Sequence, residues 1–266
     1  MSKKIGFIGC GNMGSSMVGG LINKKFVDPK DIIVSTRSNE SKKRLEDKYG
    51  VRGVLNNIVV AKESDVVVLA VKPYMYKEVL EEVKTAFRED QVIISIAAGI
   101  DLSDLHNMIG DNFKIIKTMP NTPALVGEGM SAICPNGNVT EEELSYVCSM
   151  FEAFGKYEIL NEKDFHGFIA LCGSSPAYVF MFIEAMADGA VKLGIQRNKA
   201  YKMAAQSVLG SAKMVLETEE HPGVLKDMVC SPGGTTIEAV CELEKNGFRD
   251  AVIEALDKCA AKSKSM

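Results

Sequence analysis

Two glycine-rich stretches, near opposite ends of the chain, combine the residue types and spacing of anion sites. The first is GCGNMG, in which Gly9, Gly11 and Gly14 form GxGxxG between the apolar run KIGFIG and a helix-like run, Met13 to Asn23. Gly9 permits a tight turn, Gly11 lets backbone approach a pyrophosphate, and Gly14 lets the helix lie close to the strand. The helix start adds unpaired N–H groups and the positive end of its dipole. The second stretch is CSPGGTT, where Ser231, Gly233 and Gly234 lead into Thr235 and Thr236 at the head of IEAVCELE. Successive N–H groups there, with hydroxyls beside them, suit a small carboxylate whose neighbouring atom exchanges a hydrogen bond. Helix capping alone does not require two glycines after a proline; a tight connection is the alternative use for them.

Other polar groups fall where a parallel sheet would gather them. The second strand-like run ends in STRS, with no Asp or Glu for the 2′-hydroxyl of a ribose. Thr36 and Ser38 offer hydroxyls and Arg37 a guanidinium, a set suited to a 2′-phosphate. This favours NADPH, with NADH as the alternative donor. Lys72, in the turn AVKP (Ala70, Val71, Lys72, Pro73), follows a buried-type strand, so it could meet cofactor or a substrate carboxylate. The turns AAG from Ala97 and MPNTP from Met119 occupy equivalent positions.

The elements that must place these groups are legible as patterns. DIIVSTR, DVVVLAV, QVIISIAAG, FKIIKTMP and GMSAICP read as strands, several too continuously apolar to have a solvated face. Helical runs at Tyr76 to Phe87 and Leu102 to Met108 alternate with them, which predicts a parallel doubly wound sheet. Thr140 and Glu143 form a capping box for a helix to Phe154, and KYEIL reads as a last strand. Beyond Asn161 the pattern is helical, with Pro176 in a first turn and Gly194 at that helix's end. Only Glu184, Asp188 and Lys192 interrupt its apolar circumference, so it must be buried nearly all round. A helical domain of roughly a hundred residues has little interior for it, and a second copy of the chain would supply the cover.

Bulk properties narrow the classes. A net charge of −4, with scattered Lys and Arg, lacks the footprint of a nucleic-acid binder. Seven cysteines without a CxxC pair argue against a disulfide framework or zinc site. The three histidines, His106, His166 and His221, are far apart in sequence and give little support to a metal site. The start has too short an apolar stretch for a signal peptide, and the three charges between Ala177 and Ile195 argue against a membrane span. The expectation is a cytoplasmic protein of 266 residues with no metal.

The segment HPGVLKDMVCSPGGTTIEAVCELE resembles the signature of pyrroline-5-carboxylate reductases. FIGCGNMG, AVKP, SIAAGI, MPNTPALVGEGM and GSSPAYVFMFIEAMADGAVKLG are similar to the same family in the same order, and only Cys172 departs from its frequent serine. The resemblance implies an α/β fold: a Rossmann-like doubly wound sheet domain, residues 1–160, followed by an all-α dimerisation domain, residues 161–266. It implies reduction of a cyclic imino acid to proline, with homodimers that in some members assemble into decamers. Carried over, the cofactor contacts are Ile8, Gly9, Cys10, Gly11, Asn12, Met13, Gly14, Thr36, Arg37, Asn57, Ala70, Val71, Lys72, Pro73 and Ala97. The substrate contacts are Ser231, Gly233, Gly234, Thr235 and Thr236, with Thr236 also the catalytic candidate. A β-hydroxyacid dehydrogenase would need a lysine earlier in the helix after GSSPAY than Lys192. A non-catalytic NADPH-sensing scaffold would leave the second glycine stretch without a role.

Overall fold

The computed structural model describes residues 3–265. The chain runs β1 (Ile5–Ile8), α1 (Asn12–Asn23), β2 (Ile32–Ser35), α2 (Asn39–Tyr49), β3 (Arg52–Val54), α3 (Asn57–Glu63), β4 (Val66–Leu69), α4 (Tyr76–Val83) and β5 (Val92–Ser95). It continues with α5 (Leu102–Ile109), β6 (Lys114–Met119), β7 (Gly129–Pro135), α6 (Glu141–Glu152), β8 (Gly155–Ile159) and α7 (Phe165–Phe168). The remaining helices are α8 (Ser175–Lys192), α9 (Arg197–Thr218), α10 (Pro222–Val229), α11 (Thr235–Lys245) and α12 (Phe248–Lys264). One compact unit extends to Gly173 and takes back the chain from Ala260; the other is Ser174–Cys259.

The first unit is an eight-stranded sheet ordered β3-β2-β1-β4-β5-β6-β7-β8. Its strands pair in parallel except β6 with β7, a reversal that the apolar run GMSAICP does not announce. The continuous apolar strands now have their explanation. Val66 and Val68 face a core with Met17 and Leu21 of α1 and Phe151 of α6, while Val67 and Leu69 face a second core with Leu80 of α4 and Leu105 of α5. Each such fully buried side chain contributes about 1.5–3 kcal/mol. The Thr140–Glu143 capping box is present at the start of α6.

Register decides where the site lies. Ile8 pairs with Ser35 and with Leu69, and Leu69 pairs with Ser95, so four strands end level. The turns beginning at Gly9, Thr36, Ala70 and Ile96 therefore emerge side by side. The strand order reverses between β1 and β4, which is where open α/β sheets form a ligand crevice at their carboxyl ends. Farther along, Lys117 of β6 is buried yet paired, its Nζ 2.5 Å from Asp101 and 3.1 Å from Glu162, over the Phe165 ring.

In the second unit Pro176 does occupy the first turn of α8, and Gly194 follows the helix with φ +95°. A π-helical turn, Ile169–Ser174, precedes α8. The chain itself does not provide the all-round burial that α8 calls for. Phe180 is 64% and Met181 69% exposed, and of α8 only Ala187 is buried. Phe182 rests on Phe248, with ring centroids 6.0 Å apart.

Candidate active site

The first glycine loop has the shape that its spacing implies. Gly9 holds φ +78°, and its N–H donates to the Ser35 hydroxyl at 3.2 Å. A β-carbon at Gly9 would lie 2.6 Å from Val71. One at Gly14 would lie 3.3 Å from the β-carbon of Ala70, so helix and turn are in contact there. At Gly11 a β-carbon would meet nothing within 4 Å, so backbone is open to a ligand. Gly11 is also the N-cap of α1 and has no side chain to satisfy the first-turn amides of Asn12, Met13 and Gly14. Open space before uncapped amides at the positive end of a twelve-residue helix fits a pyrophosphate. Ile8 and Cys10 are buried beneath the turn, and burial pushes the Cys10 thiol up to about 11, so it remains protonated and unreactive.

The neighbouring turns present a mixed set. Thr36 donates its hydroxyl to the Ser38 carbonyl at 3.1 Å, and the Ser38 hydroxyl accepts from the Ser41 amide as cap of α2. Both hydroxyls thus carry local duties. Arg37 is exposed and has no ion-pair partner among the described residues. Asn57 opens α3 but gives its amide to Glu82 at 2.8 Å, so its side chain is engaged with α4. Ala70 and Val71 are half-buried; Lys72 and Pro73 are exposed, and Lys72 precedes a short 3-10 turn, Pro73–Met75. Ala97 is buried at the end of β5.

The second loop lies in the helical unit and is built differently. The Gly234 amide donates to the Ser231 carbonyl at 3.0 Å, closing a turn in which Pro232 is followed by Gly233 at φ +66°. This is the proline–glycine order of a type II turn, which demands glycine at the positive φ. Gly234 caps α11 without a side chain, leaving the amides at Thr235 and Thr236 unsatisfied by any cap. A β-carbon at Gly234 would lie 2.5 Å from the Ser231 hydroxyl oxygen, which therefore hangs over the same helix entrance. Thr236 is half-buried; Ser231, Gly233 and Thr235 are exposed.

The histidines stand apart from both loops by their contacts. His106 bonds Asp111 and Asn136, His166 bonds Ser263, and His221 accepts from the Gly223 amide as cap of α10. Among the described residues no group of three or more His, Cys, Asp or Glu could hold a metal ion. Sequence reasoning overlooked Ser35, whose hydroxyl bridges the Gly9 amide and the Phe7 carbonyl. Its signal was a lone hydroxyl ending an otherwise apolar strand. It also overlooked the side chain of Asn121, within MPNTP, which joins the Met130 amide to the Cys172 carbonyl.

A carboxyl-end crevice with an uncapped glycine loop defines a dinucleotide-binding oxidoreductase domain. Residues 4–99 match the family of NADP oxidoreductases described as coenzyme F420-dependent, and residues 162–266 match pyrroline-5-carboxylate reductase dimerisation. Over 266 residues the chain is 53% identical to the pyrroline-5-carboxylate reductase of Escherichia coli K12, covering 100% of this chain and 99% of the relative. The Arabidopsis thaliana enzyme of that name is 42% identical, covering 100% and 96%. Among solved structures, the pyrroline-5-carboxylate reductase of Coxiella burnetii superposes with TM-score 0.93 at 35% identity, covering 100% and 98%. A Plasmodium falciparum pyrroline carboxylate reductase with NADP bound superposes with TM-score 0.89 at 34% identity, covering 99% and 97%. The chain belongs to the pyrroline-5-carboxylate reductase family.

Proposed function

We propose that this chain carries out its family's reaction with NADPH as the preferred donor, on a ring acid gripped by Ser231, Gly233, Gly234, Thr235 and Thr236. The reaction is the reduction of 1-pyrroline-5-carboxylate to L-proline by an NAD(P)-dependent oxidoreductase, the last step of proline biosynthesis. The observation that carries the residue assignment is the bare entrance of α11, a helix start with no side-chain cap and a glycine turn in front of it.

Nicotinamide, when bound, supplies the hydride that converts the C=N bond to CH–NH. The residues of the first loop hold its pyrophosphate at the α1 amides, and Ala70 to Pro73 and Ala97 border it. Arg37, exposed and without an ion-pair partner among the described residues, would meet a 2′-phosphate, with Thr36 beside it. Asn57 would join them by leaving Glu82. At the second loop the amides fix the carboxylate, and the Thr236 hydroxyl hydrogen-bonds the ring nitrogen. A threonine hydroxyl is too weak an acid to give up a proton at neutral pH, so the imine takes its proton from water before reduction. Thr236 then selects and orients the protonated ring, and the rate gain comes from positioning.

The apolar exposure of α8 supports a homodimer through the helical unit, with larger assemblies such as a decamer built from it. The helical run Glu162–Lys192 is long and apolar enough by composition to cross a membrane, but it lies in the segment matched as a dimerisation region. We assign it to subunit contact in a cytoplasmic enzyme. Steady-state oxidation of NADPH and NADH with pyrroline-5-carboxylate, with proline identified as product, tests the whole reading; dinucleotide binding without proline formation would overturn it.

A further inference from the structure

Tyr76 is 1% exposed, among the largest fully buried side chains, and it begins α4 directly after the turn Ala70–Met75. A phenol buried that deeply costs free energy unless its oxygen is bonded, and phenylalanine would fill the same space without that cost. Here the oxygen has partners from two strand ends. It donates to the Leu69 carbonyl at 2.8 Å and lies 3.0 Å from the Ser95 hydroxyl. Burial raises the phenol well above its ordinary range, so it remains a neutral donor.

The arrangement closes on itself. The chain leaves β4 at Leu69, forms the AVKP turn, and returns a side chain to the carbonyl it left from. That bond clamps the base of the turn. The same oxygen meets the Ser95 hydroxyl that ends β5, and the Ser95 carbonyl in turn accepts from the Thr118 hydroxyl of β6 at 3.0 Å. Three neighbouring strand ends are thus tied by side-chain hydroxyls at the point where the backbone ladder runs out. Two of the turns that leave these ends, Ala70–Pro73 and Ile96–Ala97, are those assigned to the dinucleotide.

The geometry points to Tyr76 as a positioning residue, whose hydroxyl holds these two turns in the spacing that the reduced dinucleotide requires. This rests on the cofactor reading proposed above. Tyr76 itself is buried and touches no ligand in this scheme; it acts through the Leu69 carbonyl and the Ser95 hydroxyl, at the residues from which the two turns leave.

The test uses the full chain with Tyr76→Phe, and separately Ser95→Ala. Hydrogen exchange is followed without dinucleotide at the Ala70 amide, which shares a peptide with the Leu69 carbonyl and donates to the Ile8 carbonyl, NADPH affinity by fluorescence titration, and KM for pyrroline-5-carboxylate by steady-state rates. Both variants are expected to exchange faster at Ala70 and to bind NADPH roughly three- to tenfold more weakly, the range of one lost neutral hydrogen bond. KM for the imino acid should be unchanged. Wild-type NADPH affinity in the variants would overturn the role of Tyr76. So would a fall in NADPH affinity and a rise in imino-acid KM that both track a loss of thermal stability, which marks a merely structural residue. If Tyr76→Phe does not fold, Ser95→Ala decides by the same criteria. A wild-type protein whose NADPH binding is absent, or is indifferent to Gly11→Ala, would instead refute the cofactor reading, and Tyr76 with it. Binding weakened by Gly11→Ala but untouched by Tyr76→Phe refutes Tyr76 alone.

Discussion

Two glycines separated by one residue should fail in opposite ways when each becomes alanine. At Gly9, φ is +78° and a new β-carbon would lie 2.6 Å from Val71. The left-handed backbone costs an L-residue about 1–2 kcal/mol. Relieving the contact costs about 1–3 kcal/mol more. Gly9→Ala should therefore lower stability by about 2–5 kcal/mol, or roughly 4–20 °C in Tm for a chain of this size. At Gly11, φ is −74° and the new β-carbon meets nothing within 4 Å. Gly11→Ala should melt at or slightly above the wild-type temperature, because alanine has fewer unfolded conformations to lose. Its methyl group would, however, occupy the open side facing the α1 amides. NADPH should then bind about ten- to a hundredfold more weakly, a loss of about 1.4–2.8 kcal/mol. Differential scanning fluorimetry and a fluorescence titration read the two quantities independently. Wild-type NADPH affinity in Gly11→Ala would refute the placement of the pyrophosphate; an unchanged Tm in Gly9→Ala would refute the strain argument.

The other expectations are more direct. Arg37→Glu should raise the NADPH dissociation constant at least tenfold while leaving NADH nearly unaffected, since it replaces attraction to a 2′-phosphate with repulsion; equal effects in parallel titrations would remove that role. Thr236→Ala should reduce kcat/KM roughly ten- to a thousandfold without changing NADPH affinity, as for loss of one positioned hydrogen-bonding group; unchanged efficiency would take Thr236 out of the site. If the proposed dimer forms through α8, Phe180→Glu, which places a charge on its exposed apolar face, should give monomers in sedimentation velocity, whereas an intact oligomer would mean that face is not the contact. Glu143→Gln isolates a charge, because Gln can still serve the capping box. Burial raises the Glu143 carboxyl, but bonds from Lys114 and Thr140 outweigh it and hold it below the ordinary range. A depressed folded pKa gives stability that is complete above the unfolded value and is lost as pH falls through the folded one. The variant should be less stable than wild type at neutral pH by about 1 kcal/mol. The gap should close on the acid side, as followed by urea unfolding; a gap that persists in acid would exclude the charge as its cause.

What was legible in the sequence was whatever a short window contains. GxGxxG between a strand and a helix, the unbroken run VVVL, and the Thr140–Glu143 pair each state their geometry locally, and each occurs in the structure as read. What escaped depends on partners distant in the chain. β3 is three residues around Gly53, with Arg52 exposed, and is a strand because β2 templates it. The direction of β7 is set by the nine-residue connection between Met119 and Gly129, which lets it return alongside β6, and composition does not encode direction. The chain end rejoins the first unit from Ala260, where Ser263 meets His166 across 97 residues. Arg37 and Asn57 were legible as residue types, but the engagement of Asn57 with Glu82 is a matter of rotamer and neighbour.

The two glycine turns solve one problem with unequal support. Gly9 is braced by Ser35 from an adjacent strand and sits above residues that are fully buried, so its shape is imposed by the sheet. Among the described residues Gly233 is braced by the turn that contains it, closed by the Gly234 amide on the Ser231 carbonyl, and it is exposed with Ser231 and Thr235. Amides facing open water hold a carboxylate weakly, since water competes for both partners and a dielectric near 80 leaves only about 1 kcal/mol per charge pair at contact distance. A tight grip on the ring acid therefore requires that water be displaced from the entrance of α11. On the reading proposed here, covering the helical unit and binding the substrate are coupled. Phe180→Glu should accordingly raise KM for the imino acid while sparing NADPH affinity, because the first loop owes its shape to contacts within the first unit; a monomer with wild-type KM would break that coupling.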